Sequence, residues 1–128
     1  MLNQLLYVKR RREQGMRSAL TMIARQEAAL EEEEARLVQE RLQLWEEWNS
    51  GSAAQGVVTQ TQFQTIKGEL AMCYQRDRVI GDRIEALHAE AGRLKVAKAE
   101  QLSLLRKNLL EQEKLLYLLE QSDEHISS

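Results

Sequence analysis

"MRSALTMIARQEAALEEEEARLVQERLQL", residues 16–44, places Met16, Ile23, Leu30, Leu37 and Leu44 at intervals of seven. Seven residues nearly complete two turns of an α-helix, so apolar residues on this repeat form one narrow stripe that faces another helix continuously. Extended toward the N-terminus, the same column reads Lys9 and then Leu2. A second seam begins further along the chain. Phe63, Leu70, Ile84 and Ala91 fall on one of its heptad columns, and Ile66, Cys73, Ile80, Leu87 and Leu94 on the other.

Composition agrees with two long helices. The 128 residues include no proline, and they are 30% charged and only 5% aromatic. Such a chain lacks the material of a sheet or a thick core. The one cluster of weak helix formers is "NSGSAAQG" at residues 49–56. A single interruption predicts an all-α fold, a long antiparallel two-helix coiled-coil hairpin spanning residues 1–128 as one domain. Its first helix is expected over about residues 2–48, its loop over 49–58 and its second helix over about 59–121. Asn49 to Gly51 supply the expected end of the first helix, and Thr59 with Gln62 the capping box of the second.

Folding the chain between residues 53 and 54 sets Met16 against Ala91, Ile23 against Ile84, Leu37 against Leu70 and Leu44 against Phe63. Trp45 and Trp48 then pack at the tip. The register puts Glu31 opposite Arg76 and the rest of the "EEEE" run within reach of Arg78 and Arg83, and flanking charges of this kind support helix pairing. Asp77 is the exception, a charged residue at a seam position facing Leu30.

The opening turns carry a different signal. "YVKRRREQG", residues 7–15, sets four cations in a row near the start of a helix, where positive charge opposes the macrodipole. Residues 1–25 hold six Lys/Arg against Glu13 alone, and residues 26–50 hold eight acids against Arg36 and Arg41. In the expected register Lys9 faces Lys98, and Arg10, Arg11 and Arg12 lie alongside Lys95 with Arg93 close by. Beyond Lys98 the leucine column Leu102, Leu109, Leu116 is offset by one from the earlier heptads, the mark of a stutter. The basic cluster is therefore expected at a weak point of the hairpin, as an anion-complementary surface for a partner protein. A solvated basic face without a role, a nucleic-acid patch and a membrane-surface helix are the competing readings of this run. The acidic stretch of the same helix and the scarcity of stacking aromatics count against nucleic acid.

The same register leaves everything from about Arg106 onward beyond the end of the first helix. That overhang contains Leu109, Leu110, Leu115, Leu116, Tyr117, Leu118 and Leu119. An apolar patch of this kind is expected to be a second binding site over residues 106–119, with Leu109, Leu116 and Leu119 on one face, for another copy of the chain or for a partner.

Catalysis has little to stand on. His88 and His125 are far apart, and no nucleophile–base constellation or glycine-rich phosphate loop is present. Cys73 reads as a seam residue, with no neighbouring ligands to make a metal site. No enzyme activity and no cofactor is expected. No uncharged apolar run approaches the length of a membrane span, so the chain is expected to be soluble, or peripheral to a membrane at most.

An apolar turn followed by "VKRRREQ", a polar loop and the restart "TQTQFQTIKGEL" together resemble the FliJ/YscO-like stalk proteins of type III secretion and flagellar export. The resemblance covers nearly the whole chain. It implies a cytoplasmic accessory protein, peripheral to the inner-membrane export apparatus and linked to virulence where that apparatus serves secretion, with the export ATPase, the export gate protein and secretion chaperones as partners. In that family one end of the hairpin sits in the pore of the hexameric ATPase and the other approaches the gate. The matching parts here are Lys9 to Arg12 in the basic turn and the terminal helices that flank it. A secretion chaperone or adaptor, and a generic coiled-coil tether, are the alternatives.

Overall fold

The computed structural model describes residues 1–53, 56 and 58–127, with side chains for all of these except residues 52, 53 and 124–127. Two α-helices, α1 (Leu2–Ala53) and α2 (Gln60–Ser127), pack against each other as an all-α hairpin. Residues 54, 55 and 57 of the expected loop lie outside the described ones.

The start of α2 follows the sequence signal. Thr59 N–H donates to Gln62 Oε1 at 2.8 Å and Gln62 N–H donates to Thr59 Oγ1 at 3.2 Å, the reciprocal capping box. The end of α1 does not: Asn49, Ser50 and Gly51 are helical, and α1 runs on to Ala53. A glycine stops a helix by taking a left-handed conformation, and among the described residues no glycine has positive φ. At about 1 kcal/mol relative to alanine, a right-handed Gly51 is too small a penalty to end a 52-residue helix.

The chain divides into two compact units, one formed by Met1–Glu27 with Gly92–Ser128 and the other by Ala28–Ala91. Within the second unit, Leu37, Ile80 and Leu87 form the buried core, with Leu30 and Ile84 packed against it. These are residues of the expected columns in a different pairing. Leu37 meets Ile80 and Leu87 where Leu70 was expected, and Phe63, the expected partner of Leu44, is 51% exposed. The ion pairs Glu33–Arg83, Glu40–Arg76 and Arg41–Asp77 fix the new register. Of the expected "EEEE" contacts, Glu33 with Arg83 is formed, whereas Glu31 is exposed and Arg76 is held by Glu40. Trp45 packs edge-on against Tyr74, with ring centroids 5.1 Å apart and planes at 65°.

The first unit corrects two further expectations. Leu105, Asn108, Gln112 and Leu115 are buried, together with Leu6 and Ile23 of α1. They continue the earlier heptads of α2 without a stutter, because Leu87, Leu94, Gln101, Asn108 and Leu115 succeed one another at sevens. The offset leucines fall outside this seam: Leu102 and Leu116 are exposed and Leu109 is half-buried. Residues 106–119 are also no overhang. Glu111 is bound by Lys9 and Gln112 by Glu13, so the first turns of α1 cover this part of α2.

The displacement from the expected register is roughly two heptads, and its physical reason lies in the charges. A shift by whole heptads leaves every apolar column facing its partner, so burial of the columns barely distinguishes the two pairings. Lys9 against Lys98 and Asp77 against Leu30 are unfavourable in the expected one. In the structure Lys9 meets Glu111, Lys98 meets Glu27 at 3.5 Å and Asp77 meets Arg41 at 2.7 Å.

Candidate partner-binding surfaces

Arg10, Arg11 and Arg12 occupy successive positions at the third turn of α1, and all three are exposed. A helix turns by about 100° per residue, so they fan outward in different directions. Arg11 stands 6.0 Å over the Tyr7 ring, within cation–π range. Arg12 lines a depression of about 180 Å³ together with Lys9, Met16, Leu104, Lys107, Asn108 and Glu111.

The α2 members of the expected basic surface are not beside these arginines. Arg93 and Lys95 are exposed, but Lys98 bridges to Glu27, which places this stretch of α2 alongside the region of α1 near residue 27. Lys107 takes their place. Bases from both helices thus do converge, through Lys107 and not through Arg93, Lys95 or Lys98. The point of convergence is not a like-charge weakness either, because Lys9 and Lys98 each have a carboxylate.

Beneath the basic turn lies a polar layer. Gln112 Nε2 donates to Asn108 Oδ1 at 2.7 Å and to Glu13 Oε1 at 2.9 Å, and Arg17 Nε donates to Glu13 Oε2 at 2.7 Å. The Arg17 guanidinium, and then Gln112, hold the Glu13 carboxyl below its ordinary range. The Lys9 ammonium does the same for Glu111. Asn108 and Gln112 are buried, and no buried side-chain polar atom among the described residues lacks a hydrogen-bond partner. A satisfied polar pair in a helical seam costs stability relative to leucine while favouring one register over its alternatives.

The second unit holds a counterpart. Arg41 donates to both carboxylate oxygens of Asp77, from Nε at 2.7 Å and from Nη2 at 3.1 Å, and Trp45 Nε1–H donates to Asp77 Oδ1 at 2.9 Å. These bonds pull the Asp77 carboxyl down to about 2, the Arg41 contribution first. A Cβ on Gly81 would lie 3.0 Å from Arg41 Nη2, so glycine there leaves room for the guanidinium. His88 Nε2 and Glu34 Oε1 are 2.5 Å apart on the surface.

Of the three leucines expected on the second binding face, Leu109 and Leu119 are half-buried and Leu116 is 40% exposed. The most exposed apolar residues of this stretch are Leu110, Tyr117 and Leu118. Sequence reasoning missed Lys107 because its place beside Arg12 depends on the register. It missed the polar layer as well, although Glu13, Asn108 and Gln112 recur on heptad columns and could have marked it. Cys73 is half-buried and unpaired, at a seam position as expected. Among the described residues no group of three or more His, Cys, Asp or Glu is placed to hold a metal, and no helix is long and apolar enough to cross a membrane.

No family model, curated protein or solved structure matches this chain.

Proposed function

We propose that the chain is a non-enzymatic stalk of a type III protein export apparatus, bridging the export ATPase ring and the export gate. The observation that carries this reading is the fan of exposed Arg10, Arg11 and Arg12 on a two-helix hairpin whose register is held by ion pairs. A single hairpin inside a symmetric ring meets several equivalent surfaces. Charge contacts tolerate that, whereas close apolar packing selects one orientation. The FliJ/YscO-like resemblance of the sequence supplies the identity of the ring and the gate, and with it a cytoplasmic location beside the inner-membrane apparatus.

The reading is tested by adding the purified chain to its export ATPase. Hexamer formation or turnover should rise, and the double reversal Arg10→Glu/Arg11→Glu should abolish the effect while helicity is retained. Unchanged ATPase assembly and turnover with the wild-type chain rejects the stalk. A secretion chaperone or adaptor is the second reading, favoured by exposed Leu110, Tyr117 and Leu118. It predicts co-purification of a secreted subunit and no effect on the ATPase.

A further inference from the structure

Leu104, Lys107, Glu111, Lys114 and Leu118 succeed one another at steps of three and four residues, so they form one stripe along α2. Leu5, Val8 and Arg12 do the same along α1. The two stripes are neighbours. Arg12 lines the same depression as Leu104, Lys107 and Glu111, and Lys9 is bonded to Glu111. From that depression the antiparallel helices carry both stripes in one direction, toward the start of α1 and the end of α2. The result is a groove with Leu5 and Val8 on one wall and, on the other, Leu104 and Leu118 at the two ends of a charged stretch.

Its apolar residues are open to solvent, since Leu5, Val8, Leu104 and Leu118 are between 40% and 49% exposed. Three of the four charged residues in its two stripes are cations. Arg12, Lys107 and Lys114 are exposed, and none makes a salt bridge with another described residue. The only acid in the two stripes, Glu111, is already engaged by Lys9. An occupant must therefore offer apolar side chains at helical spacing to two walls, and carboxylates to three cations along the rim.

We propose that this groove is a docking site for an acidic amphipathic helix of a partner protein. The inference rests on the groove alone and stands or falls independently of the export reading, which the ATPase assay tests. Leu5, Val8, Leu104 and Leu118 supply the apolar contact, and the cations between them select the partner.

The 128-residue chain is titrated into a fluorescein-labelled synthetic helix with leucines at heptad spacing flanked by glutamates, followed by anisotropy. Two control peptides carry lysines in place of the glutamates or serines in place of the leucines. The glutamate peptide should bind, and each control should bind at least tenfold more weakly. Leu104→Ser/Leu118→Ser should weaken binding at least tenfold with an unchanged helical signal. Arg12→Glu/Lys107→Glu/Lys114→Glu should transfer the preference to the lysine peptide. If the triple variant does not fold, the leucine pair and the control peptides decide the matter. Equal binding of the glutamate and lysine peptides, indifference to the leucine pair, or no binding up to about 1 mM overturns the proposal. So does self-association of the free chain that the same leucine pair abolishes, because the occupant is then a second copy.

Discussion

Asp77 is the residue at which a simple hydrophobic reading of the seam breaks down. A carboxylate on an apolar column is unfavourable unless its neighbours are donors, and here Arg41 and Trp45 provide three hydrogen bonds. Because the folded-state pKa lies at about 2, below the ordinary 3.8, Asp77 stabilises the fold fully above about pH 4. That contribution is lost as pH falls through about 2. Asp77→Asn should cost about 1 kcal/mol at pH 7, a modest figure because the Asp77 side chain is 24% exposed. The difference between wild type and variant in urea unfolding should shrink below pH 4 and vanish only below about pH 2. A difference that stays constant across that range rejects the assigned role of the charge.

At the scale of the element, the last third of α2 turns several leucines outward while glutamine and asparagine share the seam with Leu105 and Leu115. Asn108 and Gln112 hold seam positions, while Leu102, Leu110 and Leu118 are exposed. Replacing a satisfied polar pair with leucine removes its desolvation cost and adds apolar burial, on the order of 1 to 3 kcal/mol in all. Asn108→Leu/Gln112→Leu should therefore raise the thermal midpoint. It should also remove the hydrogen bonds that tie α2 to Glu13 and so admit other registers. A higher midpoint with more than one hairpin register, read by cross-linking, is the expected outcome, and a lower midpoint contradicts it. The leucine column at 102, 109 and 116 was legible in the sequence, but its side of the helix was not. Two columns one residue apart compete for the seam, and their hydrophobicity favours the one that the structure leaves outside.

For the molecule as a whole, the register is the quantity to measure. In a Cys73→Ser background, Lys9→Cys/Glu111→Cys should form an intramolecular disulfide under mild oxidation, and Lys9→Cys/Lys98→Cys should not. The reverse result restores the shorter register, with Lys9 facing Lys98. Lys9→Leu/Lys98→Leu gives a second readout. In the shorter register it removes a like-charge clash and stabilises the hairpin. In the observed register it removes partners of Glu111 and Glu27, so no gain in thermal stability is expected.

Heptad spacing, the absence of proline and the Thr59/Gln62 pair determined from sequence alone that two long helices form, which face α2 buries as far as Leu94 and where the second begins. Those are local or periodic properties, and each residue carries its own share of the signal. The register, and with it the company of Arg12, belonged to the tertiary structure. Periodic columns are indifferent to a slide by whole heptads, and the terms that break this degeneracy are pairwise. They join Lys9 to Glu111, Asp77 to Arg41 and Gln112 to Glu13, and none of them exists until the two helices are laid side by side.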